Sequence, residues 1–264
     1  MITLLDNRSL LKVSGKDAEV FLQSQFSNDV KNIREGQIQL NAYCQHQGKI
    51  IAILWLFKKS KCYYLSIPSE LSSLVLSKLN MFKLNSKVEI DDFSKKIYQY
   101  GLIYEVYGES FKINDNLSIY TSREFLSNCH DSSQWEIACI NAGLPEIYLN
   151  TSEKHIPQSL NLDIDEIGVS FTKGCYPGQE VVARMHYLGK PKRRLFRFTS
   201  KFEVLIGDTL NAINSKSLKS SGEVIRVANN GSEYQFLGVF EVGHVNDQMI
   251  LNNNQNKLVN LIHE

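Results

Sequence analysis

The chain has 264 residues, 43% hydrophobic and 22% charged, an ordinary globular composition that excludes disorder, collagen and long coiled coil. Lys and Arg number 29 against 28 Asp and Glu, a formal +1, which excludes a generally basic nucleic-acid coat or an acidic tail but leaves room for a local basic patch. Five cysteines (Cys44, Cys62, Cys129, Cys139, Cys175) contain no CxxC pair, so neither a zinc knuckle, a thioredoxin motif nor a disulfide framework is expected. Met1 to Asp6 carries no basic region or apolar run of a secretion signal, and the longest apolar run, Ile50 to Phe57, is far too short to span a bilayer. The expectation is a cytoplasmic protein with no membrane contact, no metal site and a monomeric state.

In chain order, residues 10–13 read as a strand. Ser14 and Asp17 form a weak capping box for a short helix through Ala18, Phe21 and Leu22. Strands are expected over 37–44, 49–57 and 62–67, separated by short turns. Ser69 is expected to cap a helix with Leu71, Leu74, Val75, Leu79 and Phe82 at helical spacing. Residues 97–120 are β-rich, and 133–142 read as a helix stopped by Gly143 and Pro145. Residues 150–168 are polar and loop-like, a length that is uncommon without a function. Strand-like runs at 195–202, 222–227, 236–240 and 257–262 suggest a small β-barrel. The whole reads as α+β, with expected subdomains at 1–94, 95–190 and 191–264.

Composition does not explain residues 171–184, FTKGCYPGQEVVAR. Two glycines and a proline lie within five residues, between an expected strand at 169–171 and an expected helix at 179–187. Cys175 then sits just before a helix start, two residues from Lys173, and both features favour a thiolate. Glu180 and Arg184 are spaced for a helical ion pair. A cysteine is most often a small buried hydrophobe, and that reading is kept for the other four. At Cys175 the Gly-Cys-x-x-Gly frame favours a reactive thiol.

The segment Lys173-Gly174-Cys175-Tyr176-x-Gly178-Gln179-Glu180 with Arg184 resembles the signature of the YgfZ-type folate-binding proteins. Residues 156–162 (IPQSLNL) resemble that family's approach to the motif. Trp135 to Glu146 resembles its helix ending in Ala-Gly-Leu-Pro, and 21–30 (FLQSQFSNDV) its N-terminal block. The resemblance implies a three-subdomain ring with a C-terminal β-barrel, the architecture of the glycine cleavage T-protein, an aminomethyltransferase. It also implies a central pocket for tetrahydrofolate or another folate, and a role in iron–sulfur cluster assembly and thereby tRNA modification, with cluster-assembly or cluster-dependent proteins as partners.

By the same resemblance Trp135 matches an aromatic position against folate; the competing expectation is a core tryptophan. A second aromatic position is Arg8 here, and a guanidinium can stack on a ring or pair with a carboxylate. Asn28 and Asp29 are candidates for a pterin edge, with a turn or cap role as the alternative. Gly174, Tyr176, Gly178, Gln179, Glu180 and Arg184 are expected to shape and fix the loop. The T-protein's catalytic Asp position aligns with Ala52, and Ile53 replaces the next; a methyl group cannot relay a proton. Aminomethyl transfer is therefore the disfavoured alternative, and a folate-sensing adaptor without cysteine chemistry is a third reading. Residues 173–201 carry a net +7, so the rest of the chain carries −6. The dense run Lys190 to Arg197 is expected either to be a solvated loop or to face an anionic partner.

Overall fold

A computed structural model describes residues 1–213 and 220–262. The chain runs β1 (Ile2–Leu4), β2 (Arg8–Ser14), α1 (Ala18–Gln23), β3 (Ile38–Cys44), β4 (Ile50–Lys59), β5 (Cys62–Pro68), α2 (Ser69–Phe82) and β6 (Glu89–Asp92). It continues with β7 (Tyr98–Ile103), β8 (Phe111–Lys112), β9 (Leu117–Ser122), α3 (Ser132–Asn141) and α4 (Gln179–Leu188). The last strands are β10 (Arg193–Ser200), β11 (Thr209–Ala212), β12 (Gly222–Asn229), β13 (Tyr234–Glu241), β14 (Met249–Leu251) and β15 (Leu258–Leu261). No helix among the described residues is long and apolar enough to cross a membrane.

The strands form three antiparallel units. The first is a five-stranded sheet, β3-β4-β5-β2-β6. The apolar run Ile50 to Phe57 is its inner strand β4, buried on both faces, which is why it lacks polar alternation. The acidic edge strand β6 (EIDD) leaves the sheet unattractive to further strands. The second is a four-stranded sheet, β1-β7-β9-β8, in which the N-terminal strand pairs with β7 (Thr3 opposite Gly101). The third is the expected barrel, closed in the order β10-β13-β12-β11-β14-β15 around Phe198, Phe236, Phe240, Val224 and Leu251. A bulge between Val224 and Arg226 disturbs β12. Arg226 beyond it donates to Glu136 of α3 at 2.6 Å and to the Leu144 carbonyl at 3.0 Å, so the barrel is bound to α3.

Several expectations are corrected. Residues 169–171 form no strand; they are irregular, with the Ser170 N–H donating to the Ser27 carbonyl. The Ser14–Asp17 capping box does not form: Asp17 itself is at the N-cap position of α1, makes no side-chain cap bond there, and its carboxylate accepts from the Lys87 N–H at 2.7 Å. Pro68 occupies the N-cap position of α2, and Ser69 is the first helical residue. Strands β1, β6, β11 and β14 have three or four residues each, too short to show a period of two.

Trp135 on α3 lies flat against the backbone of Gly101 in β7, so close that a Cβ at Gly101 would run into the indole ring. Gly101→Ala is therefore expected to destabilise the protein by about 1–3 kcal/mol through overpacking, read as a lower midpoint in urea. A midpoint equal to wild type contradicts this packing.

Candidate functional site

The motif loop is held by the N-terminal block. The Lys173 side chain is buried, and its ammonium donates to the carbonyls of Gln23 (2.6 Å), Phe26 and Asn28 (3.1 Å). These are the carbonyls left open where α1 ends and the chain turns. Burial lowers the Lys173 pKa to about 8, opposed by the charge of Asp29. The ammonium also lies 5.1 Å from the centre of the Tyr176 ring. Around it, the Ser27 hydroxyl donates to the Gly168 carbonyl at 2.6 Å and accepts from the Ala42 N–H at 2.8 Å. Sequence reading missed Gln23, Phe26 and Ser27 as parts of the site, because Gln23 and Phe26 contribute carbonyls and the Ser27 hydroxyl bonds only to backbone groups distant in sequence.

Tyr176 is buried, which raises its pKa beyond the ordinary phenol range, and the nearby Cys44 adds to the shift. Gly178 has φ +82°, and a Cβ there would strike Gln45 and lie 2.7 Å from Gly48 Cα, so this turn requires glycine. Gln179 donates to the Lys173 carbonyl at 3.4 Å. Gly174 differs from expectation: its φ is not positive and a Cβ would meet nothing within 4 Å. Its glycine leaves one flank of Cys175 uncovered. Glu180 and Arg184 are both exposed and form no ion pair with each other, which corrects the spacing-based expectation. Gln158, from the polar approach segment, donates to the Val182 carbonyl of α4 at 2.8 Å, and its own carbonyl accepts from Arg194.

Cys175 is exposed, between the buried Lys173 and Tyr176. Cys44 and Cys139 are buried and their thiols are pushed up to about 12 by desolvation; Cys62 and Cys129 are partly covered. The Lys173 ammonium is engaged by carbonyls, so its observed contact role is to anchor the loop rather than to pair with the thiol.

The four residues expected at a folate are engaged within the chain. Trp135 is buried against Gly101. Arg8 forms a buried ion pair with Glu146 and donates to the Ser66 hydroxyl and carbonyl, each at 2.8 Å. Asn28 donates to the Leu40 and Ile167 carbonyls, and Asp29 accepts from Lys31 N–H and the side chains of Gln23 and Asn32. A cavity of about 590 Å³ instead opens along the other face of α3, lined by Met1, Tyr104, Asn116, Gln134, Ile137 and Asn141 among others. Ala52 and Ile53 are both buried in β4.

Two of the five cations in the basic run pair with carboxylates among the described residues. Arg194 makes a two-pronged pair with Asp163 (2.5 and 3.1 Å), and Arg193 pairs with Glu241 at 3.1 Å. Arg197 donates to the Asn141 carbonyl at 3.4 Å. Lys190 and Lys192 are the exposed cations of the run. Arg194 and Arg197 tie the barrel to Asp163 and to the end of α3, while Arg193 pairs within the barrel.

Two sheets, a closed barrel and a thiol-bearing loop define a protein with the fold of the glycine cleavage T-proteins. The aminomethyltransferase T of Bartonella henselae superposes with a TM-score of 0.69 at 11% identity, covering 100% of this chain and 84% of that one. No protein-family model matches the chain. A Colwellia psychrerythraea protein named tRNA-modifying protein YgfZ is 33% identical over 226 residues, 73% of this chain and 69% of the relative. An uncharacterized protein of Haemophilus influenzae is 35% identical over 85% of this chain and 83% of its own length. The chain belongs to the YgfZ family of tRNA-modifying proteins.

Lys173→Met removes the donor from three carbonyls and is expected to cost about 2–3 kcal/mol of stability. The pH dependence has a defined sign. Between about 8, the folded value, and the ordinary 10.5, the unfolded chain binds the more protons, so this group's contribution to stability rises with pH. In urea titrations at stepped pH, wild type should gain on the variant across that window. A constant difference contradicts the buried placement of the ammonium.

Proposed function

We propose that this chain supports tRNA modification by helping to maintain the iron–sulfur clusters of the modifying enzymes, and that Cys175 is its working thiol. The observation that carries this reading is the exposed Cys175 in a loop pinned at the buried Lys173 on one side and the buried Tyr176 on the other. A flexible surface cysteine needs no such anchoring; a cysteine that must meet a cargo or partner in one geometry does. Cluster iron or sulfide is here a cargo. One thiolate falls short of the usual four cluster ligands, so Cys175 acts as a transient ligand during transfer between assembly proteins and cluster-dependent enzymes. Among the described residues no group of three or more His, Cys, Asp or Glu is placed to hold a metal ion. The compartment proposed is the cytoplasm.

The name of the Colwellia relative and the fold of the Bartonella enzyme support a tRNA-linked, folate-related role. A folate presents an amide-rich pterin edge, a flat aromatic body and a carboxylate tail. Arg8, Trp135, Asn28 and Asp29 do not offer free groups to it. The α3 cavity fits better. At about 590 Å³ it falls in the size range of small-molecule sites. The side-chain amides of Asn116, Gln134 and Asn141 line it and make no hydrogen bond within the described residues. These amides, each both donor and acceptor, would hold the pterin edge, with Ile137 and Tyr104 against its faces. A bound folate supplies a one-carbon carrier. Ala52 and Ile53, which stand in β4 where the resemblance expects the T-protein's carboxylates, offer no proton relay.

Replacing Cys175 by Ala is expected to lower the activity of a cluster-dependent tRNA-modifying enzyme in cells, while the purified variant folds as wild type. Unchanged activity removes the thiol from the account. In calorimetric titration with tetrahydrofolate, the Gln134→Ala, Asn141→Ala double variant is expected to bind at least about tenfold more weakly than wild type, the loss of one to two hydrogen bonds. Equal binding places the ligand elsewhere, and no binding to wild type rejects the folate reading.

A further inference from the structure

A second cleft, of about 400 Å³, lies between the β3–β4 turn, the loop after residue 153 and the barrel. Its chemistry is set by Lys49, Lys154, His155, Arg193, Glu223 and Ser159. Glu223 is the single carboxylate lining it, and both of its oxygens are engaged, one by Lys154 at 2.5 Å and one by His155 at 2.8 Å. Arg193 is steered at the rim by Glu241 and the Ser220 carbonyl. Lys49 donates to the Lys154 carbonyl at 2.6 Å and has no carboxylate within ion-pair distance among the described residues. With Lys154 paired to Glu223 and Arg193 to Glu241, Lys49 is the cation of the lining left without a carboxylate among the described residues, a surplus of one positive charge.

Such a surplus in a half-enclosed cleft costs free energy unless an anion enters. The Lys49 pKa shows the strain: it is lowered by burial and by the charge of Arg193. A guanidinium, two ammonium groups and the hydroxyl of Ser159, which has no partner among the described residues, line it together. That donor set suits a tetrahedral anion with several acceptor oxygens better than a flat carboxylate.

We propose that this cleft is a phosphate-binding site, held chiefly by Lys49, Lys154 and Arg193. It is distinct from the α3 cavity and from Cys175, and it stands whether or not this chain binds folate. It is nonetheless connected to the motif. Lys49 follows Gly48, whose missing side chain leaves room for Val181 of α4 and for Gly178. An anion drawn to Lys49 thus bears on the turn against which the motif helix is seated. The phosphate is that of a nucleotide or of an RNA backbone, two sources of one chemistry.

The test is calorimetric titration of the full chain with inorganic phosphate, adenosine 5′-monophosphate and unfractionated tRNA. Wild type, Lys49→Gln, Lys154→Gln and, as a surface control outside the cleft, Lys192→Gln are compared. Loss of about tenfold in affinity is expected for each cleft variant, as for a charge-assisted hydrogen bond, with less than twofold for Lys192→Gln. Two cleft variants on separate segments guard against a folding defect in either. Binding of phosphate and the nucleotide supports the site with a free nucleotide as its source. Binding of tRNA alone, with a shallower salt dependence in Lys49→Gln, supports it with the RNA backbone as source. The proposal is overturned if no phosphate-bearing probe binds, or if Lys192→Gln weakens binding as much as Lys49→Gln does.

Discussion

One buried ammonium organises this molecule. Taking a lysine out of water costs several kcal/mol unless its donors are met. Lys173 meets them with three carbonyls at the end of α1 and in the segment just after it, about 150 residues earlier in the chain. That contact fixes the motif loop to the first sheet unit before any chemistry is considered. Tyr176, Gln179 and the Gly178–Gly48 contact hold the other end of the loop. What remains between these fixed points is Gly174 and Cys175, both open to solvent.

A second set of charges binds the three units to one another. Arg8 of the first sheet pairs with Glu146, and Arg226 of the barrel pairs with Glu136 on α3. Tyr148, pushed beyond the ordinary phenol range by burial, lies in the field of all four. Such pairs hold mainly by geometry, since removing one partner strands a buried charge. Arg8 stands at a position where the family resemblance expects an aromatic, and its guanidinium is taken up by Glu146 rather than left for a ligand. A cavity of about 590 Å³ opens on the far face of α3, where the side-chain amides of Asn116, Gln134 and Asn141 make no hydrogen bond within the described residues.

Much of this was legible in the sequence, for identifiable reasons. The main strands and all four helices carry strong apolar periodicity or glycine and proline boundaries, and the barrel announced itself by short runs between turn residues. The glycine-framed Cys175 stood out because no packing need explains such a loop. The short strands were not legible, because three or four residues carry no pattern. The Glu180–Arg184 pairing failed because spacing allows such a pair without requiring it, and both side chains prefer solvent. Lys173 was placed beside the thiol by its position in the chain; its true partners are backbone carbonyls, which have no residue identity to read. The basic run around Arg193 and Arg194 looked like a surface because its acids, Asp163 and Glu241, lie far away in sequence.

The central claim is that the Lys173 anchor presents Cys175 as the accessible thiol among five. Pulsed alkylation of the native protein with iodoacetamide, read cysteine by cysteine by mass spectrometry, tests it most directly when wild type and Lys173→Met are compared. Cys175 is expected to react first in wild type, well before the buried Cys44 and Cys139, and freeing the loop in Lys173→Met is expected to change the rate at Cys175 while Cys44 and Cys139 stay protected. Equal labelling of all five cysteines in the folded wild type, or a Cys175 rate indifferent to the loss of Lys173, would contradict it.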